Sequence, residues 1–201
     1  MNKVRNKILI IGPGAMGYEY FRCLDAQNCE VHVIGRSKSS FDRFKTNNAS
    51  FYIGIDDFKK KNNVTDFSLV IISVAVEALV DSAKTAISLG FNRILIEKPA
   101  ALHKKEIVNL NETAIKNNTQ IYIAYNRRYY GSIQKALKII EEDGGALSCH
   151  FDFTEWESSV MSSGFDSKVL NRWFFANSTH ILDTIFFLIG VPKQLNFHGR
   201  K

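Results

Sequence analysis

Cysteine is scarce in this sequence, and what there is lies badly for either cross-links or metal. Cys23, Cys29 and Cys149 are an odd number with no C-x-x-C among them, which argues against a disulfide framework and a zinc-type ligand set. Reduced thiols, no metal and a cytoplasmic protein are the expectation. No apolar run approaches the roughly 18 residues that a membrane span needs. The opening MNKVRNK leads straight into a strand-like stretch, so no secretory leader is expected either. Lysine and arginine give a net charge of +6, yet they are dispersed, without a dense basic run or zinc-finger spacing. That pattern argues against nucleic acid and suits a small polyanionic cofactor or substrate. Internal repeats and low-complexity tracts are missing as well.

What is present is ordinary globular material, 45% hydrophobic and 23% charged over 201 residues, enough for one large domain or a compact domain and part of another. The stretch that organises it is KILIIGPGAMG, residues 7–17. Gly12, Gly14 and Gly17 stand at the G-x-G-x-x-G spacing, after an apolar strand (Ile8 to Ile11) and before a helix expected over Ala15 to Ala26. In that context each glycine has a task. Gly12 permits a tight turn, Gly14 lets backbone amides approach a pyrophosphate, and Gly17 lets helix and strand pack closely. Pro13, Ala15 and Met16 complete the loop, and the helix N-terminus faces the anion.

A second buried strand is expected over Glu30 to Ile34. The Asp or Glu that commonly follows such a strand to bind ribose hydroxyls is lacking, and Gly35-Arg36-Ser37-Lys38 stands there instead. A cation and a hydroxyl suit a 2′-phosphate, so Arg36 and Ser37 point to NADP in preference to NAD. Strands over Ser50 to Ile53, Ser68 to Val74, Arg93 to Ile96 and Gln120 to Ala124 alternate with helices over Asp56 to Lys61, Glu77 to Leu89 and His103 to Lys116. That alternation predicts an α/β Rossmann-type doubly wound parallel sheet over residues 1–124. Residues 125–201 read as a partial α+β second domain. A helix is predicted over Ser132 to Glu142, a strand over Ala146 to Trp156, a loop over Glu157 to Asn171, an apolar helix over Ser178 to Ile189 and a strand over Lys193 to His198.

Four segments stand in one order: Gly12 to Gly17, Glu97-Lys98-Pro99, Asn126-Arg127, and Ser178-Thr179-His180-Ile181-Leu182-Asp183. Together they resemble the Gfo/Idh/MocA family of nicotinamide-dependent oxidoreductases over nearly the whole chain. The resemblance implies that Lys98 and a histidine of the second domain, His180, flank the nicotinamide, and that the substrate is sugar-like. It also implies that the second-domain sheet makes homo-oligomer contacts; here that sheet reads as shortened.

Hydride exchange at a hydroxyl or carbonyl needs a group that handles the oxygen's proton, a role Lys98 can take. Asp183 shares a helix face with His180 and can orient its imidazole, contact substrate or serve as a salt-bridge partner. Ala176 stands where the family commonly has an aspartate. Glu97, Asn126 and Ser73 are candidate cofactor contacts, with Val74-Ala75 in place of the family's usual Thr-Pro.

Overall fold

The structure, a computed structural model, describes residues 5–44 and 49–196. The chain divides into two compact units, Met1–Ala124 and Tyr125–Lys201.

The first unit is a six-stranded, wholly parallel sheet. Its strands are β1 (Lys7–Ile11), β2 (Glu30–Gly35), β3 (Ala49–Ile53), β4 (Phe67–Ile72), β5 (Arg93–Ile96) and β6 (Gln120–Ile123), in the spatial order β3-β2-β1-β4-β5-β6. The helices are α1 (Ala15–Ala26), α2 (Gly54–Lys61), α3 (Leu79–Ser88) and α4 (Lys104–Lys116). Every strand and helix expected in this unit is present, with ends no more than two residues from those read in the sequence.

Alternation along the strands explains the layering. Leu9, Val70, Ile72, Ile94 and Ile96 point to one face, where Phe58 of α2, Leu79 and Ala83 of α3 and Leu110 of α4 cover them. Ile8, Ile10, Val31, Val33 and Ile71 point to the other, under Phe21 of α1 and Phe44. Strands buried on both faces must be apolar throughout, which is why they read as unbroken Val/Ile/Leu runs. The strand order reverses between β1 and β4. A crevice therefore opens at the carboxyl ends of those strands, where ligands of doubly wound sheets bind.

Helix ends follow from local chemistry. Asp56 and Asp57 open α2 and Lys59, Lys60 and Lys61 close it, each sign matched to the helix dipole. His103 occupies the N-cap position of α4, and Glu106 reaches back to accept from the His103 and Leu102 amides at 3.0 and 3.2 Å. His32 belongs to the sheet. It is 4% exposed and lies between the Tyr52 hydroxyl and the Glu30 carboxylate, each 2.9 Å away, and its bond holds the Glu30 carboxyl below its ordinary range.

The second unit departs further from expectation. It contains a short 3-10 turn at Asn126–Tyr129, then α5 (Gly131–Glu142), α6 (Glu157–Met161), α7 (Ser167–Leu170), one π-helical turn (Phe174–Ser178) and α8 (Thr179–Ile189). The strand expected over Ala146 to Trp156 does not form: residues 146–156 carry no regular structure, and Leu147 and Trp156 are fully or largely exposed. Alternating side chains define a face but not a partner, and a strand needs a neighbour for its backbone hydrogen bonds. Among the described residues of this unit no segment forms a strand. Residues 193–196 are likewise irregular, and the rest of the strand expected over Lys193 to His198 lies outside the described residues. The segment Glu157 to Asn171, read as a loop, holds α6 and α7; at five and four residues, they are too short to show a helical period. No helix among the described residues is long and apolar enough to cross a membrane.

Candidate functional site

The glycine turn is locked from below and open above. The Gly12 amide donates to the Ile34 carbonyl at 3.1 Å, and the Ser73 hydroxyl donates to the Gly12 carbonyl at 2.9 Å. Gly12 sits at φ +105°, and a Cβ there would stand 2.6 Å from the Ser73 carbonyl oxygen. A Cβ on Gly17 would stand 2.0 Å from the Gly12 carbonyl oxygen. Both are glycine because the fold leaves no room.

Gly14 is different. It is the N-cap of α1 at φ −70°, ψ −168°, a conformation open to any residue, and a Cβ there would meet nothing within 4 Å. The space that its missing side chain leaves therefore lies outside the chain. No side chain caps α1 and no acid lies in its first turn, so the amides of Ala15, Met16 and Gly17, which have no intrahelical acceptor, favour an anion there. This is the cradle that a pyrophosphate fits.

A cleft of about 660 Å³ runs past this turn, lined by residues 11–14, 34–36, 73–75, 77 and 78 together with Ser40, Gly54 and Ser82. Gly12, Pro13, Gly14, Arg36 and Ser73 of the expected site residues meet here. Ser37 is not among the lining residues; its hydroxyl bonds those of Ser39 and Ser40 at 2.9 and 3.1 Å, and Ser40 faces the cleft in its place. Ser73 is 8% exposed and its hydroxyl is committed to the turn.

Glu97 and Lys98 follow β5 at the carboxyl edge of the sheet, both half-buried. The Glu97 amide donates to the Ile72 carbonyl and the Ala100 amide to the Glu97 carbonyl, both at 2.9 Å. The Lys98-Pro99 peptide is cis, and the residues after it are buried, Ala100 and Ala101 almost wholly. The Glu97 side chain accepts a 2.5 Å hydrogen bond from the Tyr20 hydroxyl. Burial first, and this bond second, push the Tyr20 phenol well above its usual range.

Within the second unit, Asn126 opens the 3-10 turn and is exposed. The His180 ring lies edge-on to Tyr125, with centroids 5.9 Å apart, and burial raises the Tyr125 phenol. Both Asp183 oxygens accept from Arg128, Oδ2 from Nε at 2.7 Å and Oδ1 from the second guanidinium nitrogen. This is the salt-bridge option of the sequence reading, and it ties the 126–129 turn to α8. The Arg128 guanidinium also lies 5.3 Å over the Phe187 ring. No side chain caps α8: Asn177 donates to Glu155, and Thr179 to the Phe175 carbonyl, because the chain enters α8 through the π turn and needs no cap.

The pair predicts an asymmetry. The Asp183 side chain is 9% exposed and that of Arg128 40%. Arg128→Met strands a buried carboxylate and should cost the second unit about 3 kcal/mol. Asp183→Asn leaves a cation that water can reach and should cost only about 1 kcal/mol. Urea unfolding followed by the fluorescence of Trp156 and Trp173, the two tryptophans of the chain, measures both; a larger loss for Asp183→Asn would contradict the pairing.

Sequence reasoning missed Arg128, Tyr20, Ser40, Glu77 and Ser82. A signal existed for the last two: they follow β4, on the same side of the crevice as Ser73. Arg128 and Tyr20 carried none, since their partners lie 55 and 77 positions away. Among the described residues no group of three acidic, histidine or cysteine side chains is placed to hold a metal.

Several solved structures share the fold. The WlbA dehydrogenase from Bordetella pertussis, determined with NADH and UDP-GlcNAcA, superposes with a TM-score of 0.74 at 11% identity, over 94% of this chain and 57% of that one. A myo-inositol dehydrogenase from Corynebacterium glutamicum gives 0.69 at 18%, over 92% and 55%. The WlbA (WbpB) dehydrogenase from Thermus thermophilus, with NAD and UDP-GlcNAcA, gives 0.70 at 15%, over 98% and 67%. The chain thus spans little more than half the length of the first two, and identities this low establish the fold alone. A search of curated proteins finds no sequence match. Residues 8–126, more than half of the chain, match the family model described as ketopantoate reductase PanE/ApbA, and the chain belongs to that family.

Proposed function

We propose that this chain is a nicotinamide-dependent oxidoreductase of Gfo/Idh/MocA type, preferring NADP, that exchanges hydride with a hydroxyl or carbonyl group of a sugar-like substrate. The observation that carries the cofactor half is Gly14, a glycine that neither its backbone angles nor its neighbours require. Its open side, with the amides of Ala15 and Met16, would hold the pyrophosphate, and Arg36 with Ser40 would hold a phosphate on the adenosine ribose. Ser37 would steady Ser40, to which it is bonded.

When bound, the nicotinamide supplies or accepts the hydride. The protein has to place the substrate and handle one proton. Lys98 would donate that proton to the carbonyl oxygen in reduction and take it from the hydroxyl in oxidation, with Glu97 and Asn126 as polar contacts to the cofactor. His180 is assigned to the substrate oxygen, and Asp183 to holding the turn beside it through Arg128. A second reading, reduction of a 2-oxo acid, is favoured by the family match over residues 8–126; it uses the same lysine chemistry on a different substrate.

The absorbance of NADPH, followed while sugar nucleotides, polyols and 2-oxo acids are added in turn, decides between these. Sugar-class turnover supports the first reading, 2-oxo-acid turnover the second, and none at all contradicts both. NADPH is expected to bind about tenfold tighter than NADH, a difference of about 1.4 kcal/mol, and Arg36→Asp should reverse the order. Equal dissociation constants in the unaltered chain would remove Arg36 from its role.

A further inference from the structure

The Tyr20–Glu97 bond joins two parts of the first unit that the reaction would use at different ends of the cofactor. Tyr20 lies on α1, two turns from the glycine turn, and packs against the buried cluster of Ile8, Ile10, Phe21 and Ile71 beneath that helix. Its hydroxyl reaches across to the first residue after β5. A dinucleotide bound across the switch point would set its adenosine half on the β1–β2 side and its nicotinamide half on the β4–β5 side. The cleft residues Arg36, Ser40 and Gly54 would serve the first half. Glu97 and Lys98, which follow β5 and are not among the residues that line that cleft, would stand at the second.

We propose that Tyr20 is a positioning residue: its hydroxyl fixes the Glu97 carboxylate, and with it the turn carrying Lys98, in the place that receives the nicotinamide half of the cofactor. The geometry supports this in three ways. The turn is held on both sides of Lys98, by the Glu97 amide on Ile72 and by the buried Ala100 and Ala101, and the Tyr20 bond adds a hold from α1 on the Glu97 side chain. The bond spans 77 positions, so it is no by-product of local structure. It is made by a phenol whose ring is already anchored by packing, so holding it in place costs little further side-chain entropy. A direct hydrogen bond between a phenol and a carboxylate is also among the stronger kinds.

This inference rests on the proposed cofactor, and the test separates the two. 2′-Phospho-ADP-ribose carries the adenosine, its 2′-phosphate and the pyrophosphate of NADPH without the nicotinamide. In calorimetric titrations of the full chain, Tyr20→Phe is expected to leave 2′-phospho-ADP-ribose affinity within twofold of the unaltered protein and to weaken NADPH about tenfold. Glu97→Ala should do the same, the double variant Tyr20→Phe/Glu97→Ala should lose no more than either alone, and Glu97→Gln, which keeps an acceptor for the hydroxyl, should restore most of the NADPH affinity. A purely structural role would weaken both ligands together or neither, and either result overturns the positioning role. If the unaltered chain binds 2′-phospho-ADP-ribose and NADPH equally well, the nicotinamide half is not held by this turn and the inference also fails. If it binds neither, the cofactor reading itself falls and the inference with it.

Discussion

Replacing Gly14 with valine is expected to lower NADPH affinity by about a hundredfold, roughly 2.7 kcal/mol, while the protein stays folded. The separation is possible because the space beside Gly14 is empty of protein. The Cβ of the valine would meet nothing within 4 Å, and the expected cost to folding is that of the poorer N-cap, about 1 kcal/mol or 2–4 °C in melting temperature. The neighbouring glycines serve as internal controls. Gly17→Ala brings a methyl group to 2.0 Å from the Gly12 carbonyl oxygen, so the turn itself must shift, and a stability loss of about 3 kcal/mol is expected from overpacking. Melting curves and binding titrations on the two variants settle the matter. If Gly14→Val binds NADPH as tightly as the unaltered chain, the pyrophosphate does not lie at this turn.

Lys98→Met should lower turnover by about a hundredfold or more, in the range of one lost proton-transfer group, and change the NADPH dissociation constant by no more than about threefold. Methionine keeps the length of the stem and removes only the ammonium head, so the turn after β5 keeps its backbone bonds to Ile72 and within Glu97–Ala100. A fall in kcat and kcat/KM together, with binding intact, marks a contact made in the transition state. Comparable losses in binding and turnover would instead make Lys98 a holder of the cofactor. Unchanged turnover on a substrate found by the absorbance assay would remove it from the chemistry.

What could be read in the sequence was set by how local each feature is. Strands β1, β2 and β4 are buried on both faces, so their apolar runs mark them without knowledge of their neighbours. The glycine turn declared itself because its three glycines fall within six positions between an apolar strand and a helix. The second unit lacked such marks. The alternation over residues 146–156 supplies a strand pattern without a strand to pair with, and the pattern carries no information about the partner. Asp183 was legible as a helix residue sharing a face with His180, but its partner Arg128 lies outside any helical spacing. The same holds for Tyr20, which reads as one more aromatic on an amphipathic helix until its hydroxyl is seen on Glu97. Arg36 is an intermediate case: the cation after β2 was visible, while Ser40, which faces the cleft beside it, depends on a 3-10 turn over Lys38–Phe41 that brings it back.

The claim that most of this rests on is that the start of α1 holds the pyrophosphate of a nicotinamide dinucleotide. Titration of the isotope-labelled chain with NADPH, followed through its backbone amide resonances, addresses it residue by residue. The account predicts that the largest shifts fall on Gly14, Ala15 and Met16, with further shifts at Arg36 and at Glu97 and Lys98. Saturable shifts confined to other parts of the chain, or no shifts at all, would contradict it.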